Sequence, residues 1–331
     1  MSKQFMIYKF LITITIAVIG FAASLLFGAA DIDFQSVWLA LTSSNQTDEI
    51  TIIRELRIPR VVAAMFVGAS LSVAGAIMQG LTRNPLADPG LLGLTAGANL
   101  ALAITIASIP SANYFSIMLA CFLGAAIGAL LVFGIGLMKK GGFSPFRIVL
   151  AGAAVTALLT AISDAIGIYF KIAKDVSMWT SGGLIGTTWK QLLVIIPVIM
   201  IGIIVAILFS RQLTILSLHE NVAVGLGQKT RQIKAVLFVV IILLTGAAVA
   251  LVGNMVFIGL MIPHMVRAMV GTDYRVIIPF SAIVGATFMM LADLAGRTIN
   301  APYETPVAAI VAILGLPFFL IVIHRGGKVF S

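Results

Sequence analysis

The stretch "RELRIPRVVAAMFVGASLSVAGAIMQGLTRNPLADPG", Arg54–Gly90, decides the architecture. Three arginines within seven residues lead straight into an apolar run. A run of about 20 apolar residues is the length that crosses a bilayer as a helix. Small residues recur along it: Gly68, Ala69, Ser70, Ser72, Ala74, Gly75 and Ala76. In lipid no hydrophobic force drives helices together, so small residues that let backbones approach closely take that role. Asn84-Pro85 and Asp88-Pro89-Gly90 then break the helix. Non-helical backbone at membrane depth is tolerated only where protein buries it or where it lines an aqueous cavity. The segment "TRNPLADPG" is therefore a candidate gate.

The rest of the chain extends this pattern. Of its 331 residues only 10% are charged and 60% are hydrophobic, whereas a soluble domain averages about 25% charged. Apolar runs predict helical spans at 8–28, 61–82, 92–109, 115–138, 146–168, 191–210, 234–252, 256–271, 276–297 and 306–324. The expectation is a single all-α polytopic membrane domain of about ten transmembrane helices. The run at 256–271 is short and contains Pro263, His264 and Arg267, so a hairpin or broken helix competes there. Lys3 and Lys9 precede a first apolar run too long for a signal peptide, which is read as a retained span. Gly124 and Gly128 form a second close-packing motif. Cys121 alone excludes an internal disulfide, and His219, His264 and His324 lack metal-ligand spacing, so no metal site is expected.

Charge distribution sets the expected orientation. With both termini in the cytoplasm, 14 of the 21 Lys and Arg residues fall on that side, against Asp88, Glu220 and Asp273. The opposite side balances seven bases with seven acids, and Asp164 and Asp293 lie in spans. The net charge of +9 is thus a topology signal and not a nucleic-acid footprint. Arg54, Arg57 and Arg60 stand outside, against the bias. The simplest account is that they anchor a helix end to lipid headgroups.

Three blocks identify a family resemblance: "LRIPRVVAAMFVGASLSVAGAIMQGLTRNPLADPGLLGLTAGA", "GNMVFIGLMIPHMVRAMVGTDYR" and "ADLAGRTINAPYETPVAAIVAILGLPFFLIVIHR". They resemble the FecCD-type permeases, the membrane subunits of bacterial type II ABC importers for iron–siderophores, haem and cobalamin. The resemblance implies ten spans in the cell membrane. It implies a second permease subunit, either another copy or a paralogue, and two cytoplasmic ABC ATPases. It also implies an extracytoplasmic substrate-binding protein that delivers the cargo. This chain would itself bind no cofactor; ATP and Mg would be used by the partner ATPase. In keeping with that, "VGLGQKT" at 224–230 fails as a P-loop because Gln228 separates the glycine from Lys229.

The same resemblance assigns sites. Arg57, Arg60 and Arg297 match positions that dock the binding protein's glutamates, while Arg54 lies outside the motif and is left as a surface residue. Asp293 and Arg297, spaced i, i+4, are expected to pair on one helix face. The cytoplasmic gate falls on Asn84, Pro85 and Leu86, with Ser144, Pro145 and Phe146 from "GGFSPFR". The loop 211–233 resembles the family's ATPase-coupling segment, with Leu218, Glu220, Ala223, Gly225, Leu226 and Gly227 in corresponding places. A short helix ended by a glycine turn is expected there. Asp164 reads either as a pathway-lining acid or as a polar packing contact. "SMWTSGGLIGTTW", at 177–189, resembles a short outer helix, and a belt of interfacial tryptophans explains Trp179 and Trp189 equally well. An ion-coupled secondary transporter is the alternative outside the family. An intramembrane enzyme would need a convergent acid, nucleophile or metal cluster, and none is visible.

Overall fold

The computed structural model describes residues 3–28, 33–43, 47–90, 93–137, 145–180, 183–218, 220–301 and 303–325. These form a bundle of α-helices. Helix α1 is Lys3–Leu26, followed by the short helices α2 (Phe34–Thr42) and α3 (Asp48–Ile52). A π-helical turn, Ile53–Arg57, joins α3 without a break to α4 (Ile58–Thr82). Then come α5 (Leu94–Ser108), α6 (Tyr114–Leu137), α7 (Pro145–Tyr169), the short α8 (Ala173–Thr180) and α9 (Trp189–Leu208). Two further short helices, α10 (Ser210–Leu218) and α11 (Glu220–Gly225), precede α12 (Thr230–Val252). The chain ends with α13 (Ile258–Val270), α14 (Tyr274–Thr298) and α15 (Val307–Arg325).

Seven of these segments are long and apolar enough to cross a membrane, and three shorter apolar helices lie at 94–108, 258–270 and 307–322. Each of the ten expected runs overlaps one of them. The differences have physical causes. The run at 256–271 starts as non-helical chain, and helix begins only at Ile258, after a residue at positive φ, Phe257. The second run extends backward, because the "RELR" segment is itself helical through the π turn. The first long connection contains α2, whose N-cap Asp33 accepts the Ser36 amide at 2.8 Å.

Helix α4 is the centre of the bundle. Of the apolar window in the segment Asp48–Thr82, 83% is buried, against 22% for α1. Helices α12, α13 and α14 pack around α4, and the small residues named above make this possible. A Cβ placed on Gly75 would lie 2.0 Å from the Gly259 carbonyl oxygen, so these backbones touch. The contact answers a defect in α13. Pro263 has no N–H, so the Gly259 carbonyl lacks its helical donor. The Gln79 side chain of α4 supplies one, donating Nε2 to Gly259 O at 3.3 Å and to Leu260 O at 3.2 Å. Arg267 donates to the other end of the same amide, Gln79 Oε1. His264 packs edge-on to Phe318 of α15 at 5.7 Å, a structural contact.

Valine at Gly75 is expected to destabilise the protein by about 3 kcal/mol or more, because its branches would meet backbone that cannot yield. Alanine at Gly134, whose Cβ would have nothing within 4 Å, should change stability by no more than about 1 kcal/mol. Thermal unfolding of both variants in detergent micelles measures the contrast.

Candidate functional site

One end of the bundle is organised by four arginines. The end of α1 leaves carbonyls without intrahelical donors and carries the negative pole of the helix dipole. Arg57 donates Nη1 to Leu25 O at 2.9 Å and to Leu26 O at 3.1 Å. Arg297, from α14, donates Nη2 to Ser24 O at 3.0 Å and Nη1 to Phe27 O at 3.4 Å. Both guanidiniums close on Gly28, where a Cβ would come within 3.2 Å of Arg297 and 3.3 Å of Arg57. A bulkier residue would push them off the carbonyls.

Arg60 and Arg297 share one carboxylate. Arg60 donates Nε to both oxygens of Asp293, at 2.9 and 3.2 Å, and its Nη2 lies 2.8 Å from Oδ1. Asp293 Oδ2 lies 3.0 Å from Arg297 Nε. That expected i, i+4 pair is present, as an ion pair whose N–H is not aimed at the oxygen. The Asp293 side chain is 1% exposed. Arg60 uses its remaining edge on Glu304, donating Nη1 to both oxygens at 2.9 and 2.8 Å. The Glu304 side chain, in the connection between α14 and α15, is 26% exposed and is the member of the network most open to solvent.

The three arginines expected to dock the binding protein are held within the fold. Arg57 and Arg297 are 7% and 3% exposed, and Arg60 is tied to two carboxylates. Backbone carbonyls, the buried Asp293 and the partly exposed Glu304 accept from them. Arg54 is also corrected. It is no idle surface residue but donates to Ala40 O at 2.8 Å, to Leu39 O at 3.4 Å and to Ser43 O, clamping the last turn of α2. Its own carbonyl accepts the Trp189 indole N–H at 2.9 Å, tying this turn to the start of α9. Trp179 of α8 stacks on Tyr114 with ring centroids 6.4 Å apart.

At the other end of α4, Arg83 takes the left-handed conformation (φ 51°) that ends the helix. Asn84 forms a side-chain turn, accepting the Leu86 amide at 3.0 Å, and its carbonyl accepts the Ala87 amide at 3.1 Å. Asn84, Pro85 and Leu86 are half-buried on this loop. Asp88 turns inward from it, 3% exposed, and accepts the Gly90 amide at 2.7 Å. Ser144 lies outside the described residues. Pro145 and Phe146 begin α7.

The segment 211–233 contains α10 and α11. Helix α11 ends in a Schellman turn: Gly227 at φ +76° donates to Val224 O at 2.9 Å, and Gln228 donates to Ala223 O at 2.9 Å. Ala223 is fully buried against the bundle, which orients the unit. Leu218, Val222, Val224 and Leu226 stand exposed around it, and Gly225 has open space where a Cβ would go. Glu220 opens the helix. Asp164 is exposed on α7.

The chain as a whole is similar to several known proteins. The iron(3+)-hydroxamate import system permease protein FhuB of Bacillus subtilis (strain 168) is 44% identical over 93% of this chain and 80% of its own length. The iron-uptake system permease protein FeuB of the same organism is 40% identical over 92% of this chain and 91% of its own. A solved structure described as an inward-facing, metal-chelate type ABC transporter superposes with a TM-score of 0.80 at 25% identity, covering 95% of this chain and 97% of that one. The FecCD transport family matches residues 16–325. A multi-pass bundle with its apolar helices and a match over nearly its whole length make this chain a member of the FecCD transport family, the permease subunit of an ABC importer and not an enzyme.

Proposed function

We propose that this chain carries an iron–siderophore complex inward, as one of two permease subunits around a shared path, with both termini in the cytoplasm. The observation that carries the reading is the family match over residues 16–325, with support from relatives whose names specify iron uptake and iron(3+)-hydroxamate import. Haem or cobalamin is the alternative cargo. The second subunit is a further copy or a paralogue. Two cytoplasmic ATPases bind and hydrolyse ATP with Mg, and an extracytoplasmic protein delivers the chelate. Transport then follows from ATP-dependent shifts between two access states, each stabilised by its own contacts.

Docking takes place at the Arg60 end. Arg60 and Arg297 share Asp293 there, and Arg60 also pairs with Glu304. An incoming glutamate of the binding protein reaches Arg60 by replacing Glu304, the exposed partner, while Asp293 stays in place to hold the arginines. Charge complementarity of this kind sets register and encounter rate more than affinity. At the opposite end, Leu218, Glu220, Ala223, Gly225, Leu226 and Gly227 form the part that fits a groove on the ATPase, with Leu226 at its tip. Asn84, Pro85 and Leu86, with Ser144, Pro145 and Phe146, close the path on that side. Asp164 lines it.

Two measurements test this assignment. Glu304→Gln should bind the delivery protein about fivefold more tightly, since the exposed competitor is worth about 1 kcal/mol. Asp293→Asn should instead lower the stability of the permease by about 3–5 kcal/mol, because buried Arg297 loses its carboxylate partner and Arg60 loses one of its two. Equal affinity in Glu304→Gln and wild type, by surface-immobilised binding, removes the exchange. Separately, Leu226→Glu should cut ATPase co-purification on the order of tenfold; unchanged recovery in pull-down would remove the coupling role.

A further inference from the structure

Two non-helical segments meet inside the bundle. One follows α4 and passes through Gly90; the other, Gly253–Phe257, separates α12 from α13. Where a Cβ would stand on Gly90, the Met255 carbonyl lies 3.4 Å away, so the two segments touch. Beside this junction is a cavity of about 360 Å³. Gly90, Thr95 and Asn99 line it from one side, Thr156 and Thr160 of α7 from another, and Asn254 from the second break. Thr95 and Asn99 are spaced i, i+4 on α5, as are Thr156 and Thr160 on α7, so each helix presents one polar face to the space.

The lining gathers unpartnered polar atoms. Thr95 Oγ1, Asn99 Oδ1 and Thr156 Oγ1 are buried with no hydrogen-bond partner among the described residues. Thr95 is only 3% exposed. An unpartnered buried polar group is costly, and three in one cavity call for a hydrogen-bonding occupant. No charged side chain lines the cavity among the described residues. Its rim is open: Ala153, Ala157, Thr160 and Asn254 are exposed. Asp164 lies one helical turn beyond Thr160 on the same exposed face. Threonines and a carboxylate aligned on one face of a spanning helix do not face lipid, so the cavity opens onto a polar space.

We propose that this recess is a transit site for an electrically neutral, oxygen-rich iron chelate of the trihydroxamate class, the proposal resting on the reading of the chain as an iron-chelate permease. Three hydroxamate anions cancel the charge of ferric iron and surround it with carbonyl oxygens and N–O oxygens. Threonine hydroxyls donate to such oxygens, and the Asn99 oxygen accepts from amide groups on the chelate's periphery. Anionic chelates, such as ferric citrate, meet no cation in the recess and the Asp164 carboxylate at its approach. Neutral hydrogen bonds hold the cargo weakly enough to release it, as a path requires.

The test uses the complete importer, with its ATPase and binding protein, in proteoliposomes, and radioactive iron as ferric trihydroxamate or as ferric citrate. Wild type should take up the trihydroxamate in preference to the citrate. The variant Thr95→Val/Asn99→Leu/Thr156→Val should take it up about tenfold more slowly, and Thr95→Ser/Thr156→Ser, which keeps both hydroxyls, should match wild type. If the valine variant transports as fast as wild type, the recess is not a transit site, while the permease assignment stands. Preference of wild type for ferric citrate overturns the neutral class. Uptake of neither chelate by wild type sinks both the transit site and the iron-chelate reading. A second measurement is independent of how the triple variant folds. Thr156→Cys should react with a membrane-impermeant thiosulfonate while Cys121, fully buried, does not. Ferric trihydroxamate should slow that reaction at least threefold, and ferric citrate should not; no protection overturns the proposal.

Discussion

Asp293 holds one end of this molecule together. Its carboxylate, almost wholly out of solvent, is shared by Arg60 of α4 and Arg297 of α14. Those two arginines, with Arg57, in turn occupy the carbonyls at the end of α1 and the acid that follows α14. Burying a cation away from water is tolerable only where an anion and directed acceptors replace the lost solvent. Asp293, with Glu304, thus holds two arginines between helices distant in sequence. Arg60 and Asp293 are 233 positions apart.

The same accounting governs the middle of the bundle. A proline deprives α13 of a donor, and an amide on α4 replaces it. The chain after α4 leaves the helix, and Asn84 and Asp88 satisfy its amides locally. Regular helix needs no such help in a bilayer; broken helix always does. The interruptions are therefore where side chains with hydrogen-bonding capacity gather, and where the polar recess lies.

Much of the architecture was legible because it follows from runs and punctuation. Apolar stretches of bilayer length, the Asn-Pro and Asp-Pro-Gly breaks and the glycine turn at Gly227 each have a local physical signal. So does the Asp293–Arg297 spacing. The arginine network was not legible in full. Arg54, Arg57 and Arg297 bind backbone carbonyls, and a carbonyl acceptor leaves no trace in residue type. Charged residues beside an apolar run read as exposed by default, so the sequence pointed outward where the fold turns the side chains in. The cavity-lining oxygens were invisible because Thr95, Asn99 and Thr156 are individually ordinary, and only their convergence across two helices and a break marks them.

The π turn at Ile53–Arg57 acts as a phase shifter. It accommodates more residues per turn than the helices on either side of it. Each residue of a regular α-helix advances the bearing of the chain by about 100°. Arg54, within the turn, reaches the end of α2, while Arg60, in the first turn of α4, reaches Asp293. A regular helix through the same sequence would fix the angle between those two bearings by residue count alone. The turn uncouples them. The continuous rod of α3, the π turn and α4 thereby presents one arginine to the peripheral helix α2 and another to α14.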